Sequence, residues 1–140
     1  MAQGVPRSGL SRRGWLLAAL CAAGTAAARD DALLHAMRRA EALREQAVQS
    51  GDQPYGAVVW RDGRIVGEGP SRVVTATDPT AHAEMEAIRD AARRLRTRDL
   101  SGCVLVSTSR PCRMCEAAAG WAGIARMVHG ADLTDAGPPR

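Results

Sequence analysis

The sequence has no lysine and no phenylalanine, and its 140 residues include only four aromatic side chains, Trp15, Tyr55, Trp60 and Trp121. All 19 basic residues are therefore Arg. With so few rings the core must be built from Ala, Val, Leu, Ile and Met, and successive bases of a nucleic acid would find little to stack on. No run approaches the roughly 18 apolar residues that an ordinary membrane span needs. Hydrophobic content is ordinary at 46%, which excludes a chain disordered throughout. The length fits one domain.

Residues 1–28 have a basic opening, a short apolar run and a small-residue ending, the grammar of an export signal. Arg12-Arg13, set between Ser11 and Gly14-Trp15-Leu16-Leu17, resembles the twin-arginine signal, which serves proteins exported already folded. Ala26 and Ala28 supply a small-x-small pattern for cleavage after Ala28. Leu20 precedes Cys21 where a lipoprotein signal wants a small residue, so no membrane anchor is expected. On this reading the protein is periplasmic or otherwise exported; if the segment is only a basic leader, it is cytoplasmic. Removing residues 1–28 takes away Arg7, Arg12 and Arg13 and no acid, so the net charge falls from +4 to +1. The remaining domain, residues 29–140, makes no global electrostatic case for nucleic acid. Its three cysteines, Cys103, Cys112 and Cys115, are an odd count, unlike a disulfide framework.

Along this domain the pattern predicts the order αββαβαβ, an α/β layer fold. Asp30 and Asp31 are N-cap candidates for a first helix with Leu33, Met37, Ala40, Leu43 and Ala47 on one face, ending at Ser50-Gly51-Asp52. Tyr55–Trp60 and Arg64–Glu68 flank Asp62-Gly63, a hairpin signal. Thr80 is a candidate cap for a helix from Ala81 to about Leu95, Cys103–Ser107 reads as a buried strand, Cys112 to about Trp121 as a short helix, and Arg126–His129 as a last strand.

His82-Ala83-Glu84 opens one of these helices and Pro111-Cys112-Arg113-Met114-Cys115 the next. One imidazole and two thiolates suit a tetrahedral zinc with its fourth position open to water, the stoichiometry of a catalytic site. The helix starts favour thiolate charge. Glu84 shares the first turn with His82 without being needed as a ligand, and water on zinc ionises near pH ~7, so Glu84 is the natural proton carrier. The cysteines alone would read equally as a redox dithiol; their spacing together with His82 and Glu84 favours zinc.

His-x-Glu followed by Pro-Cys-x-x-Cys resembles the signature of zinc-dependent nucleobase and nucleoside deaminases. Asp78-Pro79-Thr80-Ala81-His82-Ala83-Glu84 is similar to the branch that holds guanine deaminases and bacterial tRNA adenosine deaminases, as are Tyr55-Gly56-Ala57-Val58, Met114 and Trp121-Ala122. The resemblance runs from the first helix to about Ala136. It implies a three-layer α/β/α sandwich around a mixed sheet, of the cytidine deaminase-like kind. It implies Zn2+ held by His82, Cys112 and Cys115, with Glu84 as general acid/base and substrate contacts from Ser71 and the backbone N–H of Ala83. The activity it implies is hydrolytic deamination of a free nucleobase or nucleoside, guanine-like or cytosine-like, with release of ammonia. The partners implied are that small molecule and a second copy of the chain in a homodimer; nucleic acid is not expected.

Ser71 stands where the branch usually has Asn, a shorter group with a single hydroxyl. Arg110 replaces the usual Glu before Pro-Cys, and reads either as a cation favouring an anionic or phosphorylated ligand or as a solvated surface charge. The branch continues past the last strand read here, so residues 29–140 are read as shortened at the C-terminus and base specificity is not inherited. Two other functions fit the residues: a degenerate member whose structural zinc supports ligand binding alone, and a cytoplasmic tRNA adenosine deaminase. Arg89, Arg93, Arg94, Arg96 and Arg98 form either a phosphate patch or, the simpler reading, a solvated face complementing a helix C-terminus. Cys103 reads as a small apolar core residue, and His35 and His129 have no partner at ligand spacing.

Overall fold

The computed structural model describes residues 12–140, with side chains described from residue 28 onward. Residues 1–11, and with them the basic opening of the expected leader, lie outside the described residues. The elements are α1 (Arg12–Gln49), β1 (Gly56–Arg61), β2 (Arg64–Pro70), α2 (Ala83–Leu95), β3 (Val104–Ser107), α3 (Arg113–Trp121), β4 (Arg126–His129) and β5 (Thr134–Gly137). The strands form one sheet in the order β2-β1-β3-β4-β5. β3 and β4 run parallel and the other neighbours antiparallel, so the sheet is mixed. No helix among the described residues is long and apolar enough to cross a membrane.

Strand alternation sorts the side chains into two layers. Ala57, Val59, Leu105 and Met127 face Ala83, Ala87 and Ala91 of α2 and Ala119 of α3. Their neighbours Val58, Val106 and Val128 face Leu33, Ala36, Met37, Ala40 and Leu43 of α1. The result is the expected three-layer α/β/α sandwich, with small Ala residues on the helices letting them lie close to the sheet. The β1–β2 hairpin turns on Asp62 at φ 50° and Gly63 at φ 79°, the left-handed pair of a two-residue turn. Gly67 and Gly69 of β2 let α2 lie almost against the strand: a Cβ on Gly67 would stand 2.5 Å from the Ala87 carbonyl oxygen and 2.6 Å from the Ala91 amide.

Three local expectations are corrected. α1 begins at Arg12, so Asp30 and Asp31 lie inside it and cap nothing; the Ala-rich stretch before them is strongly helix-forming. α2 begins at Ala83 with His82 as its N-cap, because the amide and hydroxyl of Thr80 both donate to Asp78 Oδ1 at 2.8 Å in a turn of their own. A fifth strand, β5, pairs with β4 although Thr-Asp-Ala-Gly has little strand propensity.

Candidate metal centre and its cavity

The starts of α2 and α3 meet at the C-terminal end of β3. His82 and Cys112 are the two N-cap residues, each with extended backbone (ψ 153° and 172°), and neither side chain makes a capping bond. Both are thereby free to converge with Cys115, which α3 presents from its first turn. Cys112 Sγ lies 3.7 Å from Cys115 Sγ, and His82 Nδ1 lies 3.8 Å from the first sulfur and 3.7 Å from the second. Tetrahedral zinc bonds of about 2.3 Å to sulfur and 2.0–2.1 Å to nitrogen require ligand separations of about 3.8 and 3.6 Å. The triad fits that figure without rearrangement.

The chemistry of the donors agrees. Burial, then the nearby charges of Glu84 and Cys112, push the Cys115 thiol well above its ordinary range. Two thiolates beside a carboxylate need a cation, and a divalent ion at the centre of the triad provides it. His82, Cys112 and Cys115 are the group of donors within 4.8 Å of one another among the described residues.

Glu84 is 4% exposed and stands beside the triad. Its Oε1 accepts a hydrogen bond from Ser107 Oγ at 2.9 Å, and its Oε2 lies 3.6 Å from Cys115 Sγ. His82, Cys112 and Glu84 open onto a cavity of about 620 Å³ walled by Gln53, Pro54, Tyr55, Ala83, Ser109 and Arg110, while Cys115 is buried behind them. Its size suits a small organic ligand. As the first helical residue, Ala83 has an N–H without an intrahelical acceptor, and it lies on this wall. Arg110 is exposed on the same wall, with no carboxylate within 4.0 Å among the described residues.

Ser71, the residue expected at the substrate, does not line this cavity. It is 1% exposed, and its hydroxyl donates to Asp52 Oδ1 at 2.8 Å. It lines instead a separate cleft of about 490 Å³ shared with Arg39, Glu68 and Arg72. Asp52, which the sequence does not single out, organises the whole turn. Its Oδ1 also accepts from the Gln53 amide, and its Oδ2 from the amides of Val74 and Thr75 and the Thr75 hydroxyl. One carboxylate thus ties the segment leading to Gln53-Pro54-Tyr55 to the loop before α2.

Burial alone would raise the Asp52 carboxyl; the bonds from Thr75, Gln53 and Ser71 outweigh it and hold the group well below the usual carboxylate range. A depressed native pKa contributes stability in full above the unfolded value of about 4, and loses it as pH falls toward the native one. The wild-type urea midpoint is therefore expected to fall more steeply between pH 5 and 2 than that of Asp52→Asn, which starts lower; parallel curves would show that the carboxylate carries none of the acid sensitivity.

Ser107 is the other functional candidate the sequence did not flag. The available signal was a hydroxyl at a core-facing position of an otherwise apolar strand. The remaining candidates are placed as follows. Cys103 is fully buried and burial raises its thiol, as suits a core residue. His35 is exposed and His129 half-buried. Arg89 pairs with Glu86 at 2.7 Å, Arg94 with Asp90 at 2.8 Å, and Arg93 with Asp90 at 3.8 Å. Three of the five arginines thus have acidic partners on the same helix, in keeping with a solvated face.

Comparison with known proteins agrees with this geometry. Residues 30–131 match the model of the cytidine and deoxycytidylate deaminase zinc-binding region. The chain is 42% identical over 101 residues to the guanine deaminase of Bacillus subtilis, covering 71% of this chain and 65% of that protein. It is 42% identical over 92 residues to the tRNA-specific adenosine deaminase of Aquifex aeolicus, covering 64% of this chain and 61% of that one. The crystal structure of the Bacillus subtilis guanine deaminase superposes with a TM-score of 0.66 at 36% identity, over 72% of this chain and 70% of that chain. The chain thus spans somewhat less than two thirds of the length of these curated relatives. With a matched region that takes in the donor triad, Glu84 and all three layers of the sandwich, the chain belongs to the cytidine and deoxycytidylate deaminase family.

Proposed function

We propose that this chain is a zinc-dependent hydrolytic deaminase that acts on a free nucleobase or nucleoside, guanine-like or cytosine-like, and releases ammonia. Glu84 carries the reading: a buried carboxylate beside three zinc donors, on the wall of an open cavity, and outside the donor triad. A closed structural zinc has no use for such a group, which counts against a member that binds ligand alone.

Zinc held by His82 Nδ1 and the two sulfurs supplies Lewis acidity that makes water a nucleophile near neutral pH. The protein's own groups do the rest. The Ala83 N–H meets a carbonyl or ring acceptor of the base, and the exposed Tyr55 ring gives its face an apolar wall. Glu84 takes one proton from the attacking water and passes it to the ring nitrogen, then takes the second from the new hydroxyl on the carbon and passes it to the amino group, so that the C–N bond breaks to leave a carbonyl and ammonia. The likeness to a guanine deaminase supports a purine, while the equal identity to a tRNA-specific adenosine deaminase supports a second reading with RNA as substrate.

The deciding experiment is ammonia release by zinc-loaded protein from guanine, cytosine, their nucleosides and an adenosine-bearing anticodon stem-loop. Turnover of a base or nucleoside is expected; turnover of the stem-loop alone would establish the second reading, and inactivity on all with zinc bound would overturn both. Export rests on Arg12-Arg13 and the small residues before Arg29. Tagged protein is expected outside the cytoplasm, and inside it when both arginines are changed to Lys.

Arg110 sets a further expectation. As a cation on the cavity wall without a carboxylate partner among the described residues, it should favour a phosphorylated nucleoside over the same nucleoside unphosphorylated. Arg110→Glu is expected to lower the kcat/KM ratio of the phosphorylated to the plain substrate by about tenfold at low salt, with the difference shrinking as salt rises. A ratio unchanged by the substitution would return Arg110 to the solvated surface.

A further inference from the structure

β3 ends on Ser107, whose register partners are Ala57 on β1 and His129 on β4. Its backbone is therefore clamped on both sides in the middle of the sheet. Strand alternation sends its side chain to the same face as Leu105, toward α2 and α3, where an apolar group would ordinarily stand. Ser107 is 0% exposed. A hydroxyl so buried needs a partner, and it has two. Its Oγ donates to Glu84 Oε1 at 2.9 Å and accepts from the Ser109 amide at 3.4 Å. The amide occupies the acceptor side of the hydroxyl, which directs the Ser107 proton onto the carboxylate.

The two oxygens of Glu84 are thereby made unequal. The bond from Ser107 fixes Oε1 against the end of β3, on the side of the carboxylate away from the cavity's donors. Oε2 has no such donor from β3 and is turned toward the metal donors, 3.6 Å from Cys115 Sγ. We infer that Ser107 is a positioning residue that holds Glu84 by Oε1, so that the proton moved in the reaction is taken up and given back at Oε2. The kinetic part of this inference rests on the deaminase reading; the orientation of the carboxylate does not. A glutamate has three rotatable bonds and a short helical turn beneath it, and proton transfer tolerates little error in placement. The rigid centre of the sheet supplies the fixed point that the side chain itself lacks.

Two variants of nearly equal shape separate the hydrogen bond from packing. Ser107→Thr keeps the hydroxyl and adds a methyl group; Ser107→Val has the same outline without the hydroxyl. Both are checked for folding by thermal melting and for zinc content. With the best substrate of the panel, Ser107→Val is expected to lower kcat by about 30- to 100-fold with KM within about twofold, and Ser107→Thr to stay within a few-fold of wild type. The second readout needs no turnover. In resting zinc-loaded protein, the infrared carboxylate band of Glu84, isolated by difference against Glu84→Gln, is expected to shift in Ser107→Val and to return in Ser107→Thr. Equal impairment of both variants would assign the effect to packing and overturn the inference, as would an unshifted band in Ser107→Val. A shifted band in a protein that deaminates nothing would uphold the orientation of Glu84 while removing the deaminase reading.

Discussion

Glu84→Gln is expected to lower kcat by about 10³-fold, within the range that positioned general acid–base groups supply, while zinc content stays unchanged. Gln has the shape of Glu, and its amide oxygen still accepts from Ser107 Oγ, so the buried site keeps its packing and its one strong side-chain bond. What the amide loses is the ability to take a proton at the oxygen facing the donors. Measured together, turnover and zinc content separate two roles. A variant that loses zinc would make Glu84 a ligand, and would contradict a geometry in which His82, Cys112 and Cys115 already meet at tetrahedral separations. A variant that keeps zinc and loses only a few-fold in rate would leave Glu84 without the role proposed for it.

Gly67→Ala is expected to cost the fold about 2–3 kcal/mol, because the added methyl group meets backbone rather than a side chain that can swing aside. The Ala87 carbonyl at 2.5 Å and the Ala91 amide at 2.6 Å belong to consecutive turns of α2, so the helix must move as a body. Against a typical total stability of about 5–15 kcal/mol this is a large share, and it should appear as a fall in Tm of about 10 °C. Because α2 carries His82 and Glu84 at its start, the zinc-bound form should also lose metal to a chelator at lower concentration. Gly120→Ala is the control. Its nearest neighbour is Pro139 Cβ at 3.5 Å, an ordinary contact, and in a helix Ala is the better residue. A Gly67→Ala protein that melts with wild type would mean that α2 lies farther from β2 than described.

The metal centre was legible in the sequence because its chemistry is local: two short motifs, each at a helix start, fix residue types and spacing. The hairpin was legible for the same reason, since Asp62-Gly63 carries its own backbone preference. What escaped was set by distant neighbours. The bond of the Ser71 hydroxyl to Asp52, 19 residues away, has no local sign in the sequence. Thr80 looks like a cap until Asp78 is seen to hold both its amide and its hydroxyl. Ser107 is unremarkable in a string of Val and Leu until the sheet register turns it toward Glu84. β5 exists by pairing with β4 and not by propensity, so no composition rule could have supplied it.

The donors, Glu84 and Ser107 all fall between residues 82 and 115, in the continuous unit α2–β3–α3, whereas Gln53, Pro54 and Tyr55 reach the cavity from outside it. This has a bearing on the order of folding. Joining His82 to Cys112 closes a loop across a separation of 30 residues, and closure cost rises only slowly with loop length. Because α2 rests on β2 and β1 rather than on β3, a refolding chain is expected to seat its metal only once the β1–β2 hairpin has docked against α2.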